Sequence, residues 1–301
     1  MVYHEPVLLK ESIEGLAIQP DAVYVDATYG GGGHARKILE KLRNGRLIAF
    51  DQDADAMNNR IDDPRLLLLN HNFRYMKRFL RYYHVLPVEG ILADLGVSSH
   101  QLDRPERGFS TRFGSTLDLR MDRKKSLTAL RILNEYPEER LRLIFKDYGE
   151  VPNASRLTGL IVRNRRMNAI TDGNHLQQII AGCLPKGGEN RYLAQVYQAL
   201  RIEVNQELEA LRELLQQSVS VLKPGGRLVI ITYHSLEDRI VKNFMRSGNL
   251  EGKADKDFFG RTKTPFRLIT RKPIVPGEEE LSRNPRSRSA KLRIAEVLNN
   301  E

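Results

Sequence analysis

The segment from Ala22 to Ala35 constrains the chain most: a β-branched and aromatic run, AVYVDA, passes through Thr28-Tyr29 into four glycines, Gly30 to Gly33. Such a run is a buried strand entering a tight turn. Beyond the glycines, Ile38, Leu39 and Leu42 recur at helical spacing until Asn44-Gly45 stops the pattern. Strand, glycine loop and helix together predict the first unit of an open α/β sheet. Leu47–Phe50 (LIAF) reads as a second short strand ending at Asp51, Leu66–Leu69 as a third after the Asp63-Pro64 turn, and Ile91–Leu95 as a fourth. Strands alternating with helices imply parallel pairing through right-handed crossovers.

After Gln101 the rhythm breaks. Residues 103–125 are rich in Arg, Gly, Ser and Asp, and helical patterns with little strand signal continue towards Leu200. Residues 103–198 are therefore expected to be a mainly helical insertion. Glu203–Leu222 then aligns Leu208, Leu211, Leu215 and Val219 on one helix face, closed by Lys223-Pro224-Gly225-Gly226, and the strand Arg227–Tyr233 follows at once. A helix over Leu236–Met245, a strand near Phe266–Thr270 and a terminal strand within Ala290–Leu298 complete the sheet. The expected domains are 1–102 joined with 199–301, interrupted by 103–198.

Composition narrows the partners. Lys and Arg number 48 against 38 Asp and Glu in 301 residues, a net charge of +10, which favours polyanions, while the abundant acids argue against a purely electrostatic binder. A single cysteine, Cys183, excludes an intrachain disulfide and a cysteine-based zinc site and suits a reducing cytoplasm. No stretch approaches the length of a membrane span, and Met1–Lys10 carries no secretion signal, so neither membrane nor export is expected.

Three features carry chemistry. Gly30-Gly31-Gly32-Gly33-His34-Ala35 satisfies G-x-G-x-x-A, which lets backbone approach a nucleotide and offers helix-terminal N–H groups. Asp51, at the end of the next strand, suits a carboxylate that accepts both hydroxyls of a ribose. Together they point to an adenosine-type ligand, whether of a dinucleotide dehydrogenase or an S-adenosyl-L-methionine (AdoMet) methyltransferase. Third, Asp94-Leu95-Gly96-Val97-Ser98-Ser99 closes the fourth strand, where open α/β sheets hold ligands. Ser98, Ser99 and His100 lack the G-x-S-x-G elbow of a hydrolase. The histidines, His4, His34, His71, His84, His100, His175 and His234, are scattered without ligand spacing, so no catalytic metal is expected.

At this level of detail the chain resembles a known family. The strings HEPVLLKE from His4, DATYGGGGHA from Asp26, ILADLGVSSHQLD from Ile91, RGFS from Arg107, LDLRMD from Leu117, QALRIEVNQEL from Gln198, HSLEDRIVK from His234 and NPRSRSAKLRIAE from Asn284 are similar, in order, to the RsmH (MraW) family. These are bacterial AdoMet-dependent methyltransferases acting on N4 of a decoding-centre cytosine of 16S ribosomal RNA, a modification that fine-tunes the ribosomal P site. The resemblance implies a Rossmann-like class I AdoMet-dependent methyltransferase sheet whose inserted helical domain recognises substrate, with the assembled small subunit as partner; oligomeric state stays open. A non-catalytic ribosome-assembly factor is the competing reading, which intact cofactor positions disfavour. Position by position, the family's cofactor contacts fall on Gly32, Gly33, His34, Asp51, Phe73, Asp94 and Gln101. Asp94 is expected to orient the amine or the cofactor, and His234 to contact cytidine.

Many amino-group methyltransferases stack the target base on an aromatic at this strand end, but DLGVSS has none, which leaves Tyr233, Phe109 and Phe113 as candidates. Ser235 and Asp238 have the spacing of a helix-capping S-x-x-D box. Phosphate contacts are expected from Arg283, Arg286, Arg288, Lys291 and Arg293, from Lys242, Arg246, Lys253, Lys256, Arg261, Lys263, Arg267, Arg271 and Lys272 before them, and from Arg163, Arg165 and Arg166 in the insertion. One departure is Gln195, in a stretch where family members often carry Arg.

Overall fold

The computed structural model describes residues 6–111, 116–253, 255–256 and 262–299. Seven strands form one sheet: β1 (Val23–Asp26), β2 (Arg46–Phe50), β3 (Leu66–Leu69), β4 (Val88–Asp94), β5 (Leu222–Thr232), β6 (Phe266–Leu268) and β7 (Lys291–Val297). Their order across the sheet is β3-β2-β1-β4-β5-β7-β6. β1 to β5 pair in parallel, and β7 runs antiparallel to both its neighbours. The order reverses between β1 and β4, so their carboxyl ends border the crevice where such sheets hold ligands. Asp26 and Asp94 are the last residues of those two strands.

Alternation along the strands sends side chains into two cores. Val25, Ile48 and Phe50 face one, with Met76 and Leu80 of α3 (Met76–Tyr82), Leu211, Leu214 and Leu215 of α10 (Glu207–Val221), and Val241 and Phe244 of α11 (Ser235–Ser247). Tyr24, Leu47 and Ala49 face the other, with Leu16 of α1 (Leu9–Leu16) and Ala35, Ile38 and Leu39 of α2 (Gly33–Lys41). Each fully buried Leu or Ile stabilises the sheet by about 1.5–3 kcal/mol relative to exposure. Helices on both faces make the sheet doubly wound. α1 has no counterpart in the sequence reading; its first turn overlaps the end of the HEPVLLKE string.

Residues 1–96 with 208–301 form one unit and Val97–Glu207 a second, so the span expected at 103–198 lies inside the helical unit. That unit contains α4 (Ser99–Asp103), α5 (Ala129–Glu135), α6 (Glu138–Asp147), α7 (Ala154–Met167), α8 (Gly173–Ile180) and α9 (Glu189–Asn205). They share a core of their own that includes Phe109, Leu133, Phe145, Leu157, Ile161 and Leu200. The helix expected over Glu203–Leu222 is two helices, because α9 stops at Gln206, whose φ of 53° is left-handed. Buried Asn205 fixes that end: Oδ1 accepts the Met121 N–H at 2.8 Å, and Nδ2 donates to the Leu119 carbonyl at 2.8 Å. Apolar residues repeat at helical spacing through both helices, so periodicity alone gave no sign of the break.

Candidate functional site

The glycine loop is shaped by what a side chain would strike. Gly32, the N-cap of α2, has φ 76°, and a Cβ there would lie 2.7 Å from the Tyr29 hydroxyl. At Gly33 a Cβ would lie 2.2 Å from Cγ of Pro6. Only glycine fits. The Gly32 N–H is spent on the Tyr29 carbonyl at 2.8 Å, so the outward donors are the first-turn N–H groups of Gly33 and His34, which have no intrahelical acceptor. The loop is pinned from the next strand: Asp51 Oδ2 accepts the Gly30 N–H, and Oδ1 the Asp53 N–H, each at 2.8 Å. Each carboxylate oxygen can accept a further bond, so these two are suited to a vicinal diol. The loop a Cβ would fill and this acceptor pair fit an adenosine-type cofactor.

Asp26 is 1% exposed and lies at the end of β1. Its Oδ1 accepts the Thr28 N–H at 3.0 Å, while its buried Oδ2 has no hydrogen-bond partner. Burial pushes its pKa up to about 7, opposed by the Thr28 N–H and reinforced by the charge of Asp51. Thr28 also links the loop to β4, because its Oγ1 accepts the Asp94 N–H at 2.7 Å. Asp26 was not singled out in the sequence; its place at the strand end, immediately before the glycine loop, was the available signal. The folded pKa lies above the ordinary 3.8, so the protonated acid stabilises the fold below about pH 4, and that contribution is lost as pH rises through about 7. Asp26→Asn, which cannot ionise, should therefore melt about 2 °C or more above the natural protein at pH 8 and nearly level with it at pH 4. Equal melting temperatures at both pH values would refute the buried charge.

The Asp94 carboxyl meets two side chains. The Tyr233 hydroxyl donates to its Oδ1 at 2.7 Å, and His34 Nδ1 lies 3.8 Å from its Oδ2. His34 is 6% exposed, and burial lowers its pKa to about 4 against the help of the Val7 carbonyl 3.1 Å from Nε2. It is neutral at pH 7, so its approach to Asp94 is not an ion pair. A carbonyl requires Nε2 to be the donor, which leaves Nδ1 as an acceptor facing Asp94 and favours the protonated acid. Desolvation raises Asp94 to about 7, Tyr233 opposes it, and the charge of Asp26 adds to it. The side chain is still 23% exposed, which leaves the carboxyl within reach of a ligand.

The cap at the carboxyl end of β5 differs from the expected Ser235–Asp238 box. His234 is the N-cap of α11: its Nδ1 accepts the Glu237 N–H at 3.4 Å, and the Glu237 carboxylate accepts the Tyr233 N–H at 2.9 Å. His234 Nε2 lies 3.2 Å from Glu237 Oε1, and the side chain is only 8% exposed. Nε2 is buried and makes no hydrogen bond, although Glu237 Oε1 is close to it. Asp238 instead binds Arg293 at 2.7 Å, which removes Arg293 from the free basic run.

Phe73 opens a short turn after β3 and packs, half-buried, on the sheet core. Gln101 belongs to the helical unit, where its Oε1 accepts the Ser98 N–H at 3.0 Å in a capping box. Phe109 is 6% exposed within that unit's core, which argues against base stacking. Phe113, His4 and Arg261 lie outside the described residues, as do the side chains of Lys256 and Lys263. Arg165 donates to the carbonyls of Leu133 and Tyr136, a structural role, whereas Arg163, Arg166, Arg283, Arg286 and Arg288 are exposed. Gln195 donates to the Glu150 carbonyl at 3.1 Å on the surface of α9.

A doubly wound sheet with one antiparallel strand, its glycine loop, ribose-suited carboxylate and strand-end Asp94 gathered at the switch point, defines the Rossmann-like class I methyltransferases. Residues 1–298 match the MraW methylase family, and the chain belongs to it. It is 56% identical to the ribosomal RNA small subunit methyltransferase H of Bacteroides thetaiotaomicron over 98% of each chain. With that of Flavobacterium johnsoniae it shares 54% identity over 99% of each. No helix among the described residues is long and apolar enough to cross a membrane.

Proposed function

We propose that this methyltransferase uses AdoMet to methylate N4 of a cytidine in the decoding centre of 16S ribosomal RNA, with the assembled small subunit as its substrate in the cytoplasm. The observation that carries this reading is the convergence of the pinned glycine loop, Asp51 and Asp94 at one sheet edge. The whole-length likeness to small-subunit methyltransferases supports the RNA target. When bound, AdoMet supplies an electrophilic methyl group. Asp51 would hold its ribose, the N–H groups of Gly33 and His34 its carboxylate, and Phe73 its adenine, with Gly32 shaping the loop; the family resemblance adds Gln101 as a cofactor contact. That unit would select the RNA, and the exposed arginines of residues 283–288 would hold phosphates.

The exocyclic amine of cytosine is a poor nucleophile, because its lone pair is delocalised into the ring. The chain must therefore aim it. Asp94, kept in one orientation by Tyr233, is suited to accept an amino hydrogen and hold the nitrogen in near-attack geometry. Incubation with methyl-labelled AdoMet and small subunits lacking the modification, followed by nucleoside mass spectrometry, tests the assignment. Label on N4 of one decoding-centre cytidine is the expected result; label on another atom or nucleotide, or no transfer despite AdoMet binding, would overturn it.

A further inference from the structure

Residues 64–88 contain no Asp or Glu, yet hold Arg65, Arg74, Lys77, Arg78 and Arg81 together with Tyr75, Tyr82 and Tyr83. Its stretch from Phe73 to Tyr82 folds as the turn Phe73–Tyr75 and helix α3. At 100° per residue, Met76, Phe79, Leu80 and Tyr83 share the face turned to the core, and Tyr75, Arg78, Arg81 and Tyr82 share the other. Burial follows that division: Met76 and Leu80 are 0% exposed, whereas Tyr75 is 49% and Tyr82 73% exposed. Arg78 and Arg81 are exposed as well. Tyr82, nearly three-quarters exposed on a face with two guanidinium groups, is not what solubility alone selects, since aromatic rings are usually at least half covered.

The face is also held still. Tyr83 meets the exposed Tyr82 ring edge-on, with centroids 5.0 Å apart and planes at 89°. Below it, Arg74 binds Glu213 of α10 through Nε at 2.9 Å, the Lys77 N–H donates to Gln217 Oε1 at 2.8 Å, and Gln217 Nε2 donates back to the Arg74 carbonyl at 2.8 Å. At its start the segment is tied to the cofactor edge: Asn72 Nδ2 donates to Gln52 Oε1 at 2.8 Å, and Asn70 Nδ2 to the Asp51 carbonyl at 3.0 Å. Tyr75 and Tyr82 stand about 10 Å apart along the helix axis. Arg78 and Tyr82 are neighbours at i and i+4.

Cations for phosphates beside rings for unstacked bases are the pairing by which proteins hold single-stranded nucleic acid. We propose that the outer face of α3 is a second RNA-contact surface, which takes a single-stranded segment of the substrate RNA away from the methylated cytidine: Arg78 and Arg81 on its phosphates, Tyr82 under a base. The proposal rests on the reading of the substrate as ribosomal RNA, and it adds a surface on the sheet unit, separate from the basic run at 283–293.

The test uses the full chain with AdoMet, a fluorescein-labelled single-stranded RNA read by anisotropy, and steady-state methylation of undermodified small subunits. Tyr82→Ala should weaken RNA binding about tenfold, and Tyr82→Phe, which keeps the ring, should not. Arg78→Gln with Arg81→Gln should lower the slope of log affinity against log salt by about 1.4, at about 0.7 per phosphate. With subunits, KM should rise while kcat and AdoMet affinity stay unchanged. Unaltered RNA affinity and salt slope would overturn the proposal, as would variants that lose only self-association in sedimentation, which would assign the face to a second copy of the chain. A natural protein that binds the RNA through α3 but does not methylate subunits would refute the proposed substrate and leave the surface standing.

Discussion

Asp51→Asn should weaken AdoMet binding on the order of 100-fold or more, measured by titration calorimetry. Both carboxylate oxygens already accept a backbone N–H, from Gly30 and Asp53, at 2.8 Å. An asparagine must turn its NH2 towards one of those donors, so it loses an acceptor and gains a repulsion. The ribose then loses a charged acceptor for one hydroxyl outright, and a displaced Gly30 shifts the loop that receives the rest of the cofactor. Hydrogen bonds to a charged group contribute about 1.5–3 kcal/mol each, so losing two gives about 3 kcal/mol at the low end. Asp51→Glu keeps the charge but reaches one methylene too far to hold Gly30 and Asp53 together, and should be nearly as poor. Affinity within threefold of the natural protein in Asp51→Asn would mean that the ribose is not held here.

What the sequence revealed and what it hid divide along a physical line. Strand ends are legible because hydrophobic runs stop there, and in an open α/β sheet the residues just past them border the ligand crevice. Asp51 and Asp94 could be picked out for that reason. The sheet strands were visible through their apolar runs, although β5 starts at Leu222, five residues before the expected Arg227, because Lys223–Gly226 stays within the strand across a register shift beside Val88. Protonation states were not legible. The pKa of Asp26 near 7 and that of His34 near 4 come from burial, which depends on chain brought from elsewhere. The bond between Tyr233 and Asp94 joins residues 139 positions apart, at the ends of neighbouring strands. The α11 cap was read one residue late because histidine is a rare N-cap and Ser235 a favoured one; the structure uses His234 because Glu237, at N3, can reach back to the backbone N–H groups of Tyr233 and His234.

That Tyr233–Asp94 bond leads to a second large effect. If Asp94 orients the amine, Asp94→Asn should lower kcat about 100- to 1000-fold, the scale found when one preorganised polar contact at a reacting group is removed, with AdoMet affinity changed much less. If instead it positions the cofactor's own amino group, AdoMet affinity should carry most of the loss; unchanged kcat and affinity would remove Asp94 from both roles. The pH dependence provides an independent check. Only the ionised carboxylate accepts at both oxygens, and with Asp94 near 7 the natural enzyme should gain activity as pH rises through about 7. Tyr233→Phe deletes the hydroxyl that favours the ionised form, so the acid limb should move to higher pH while activity well above it is largely retained. Asp94→Asn should abolish the limb. A hydroxyl that mattered only for packing would leave the limb in place in Tyr233→Phe, because the missing oxygen would then alter stability without altering the charge state of the carboxyl beside it.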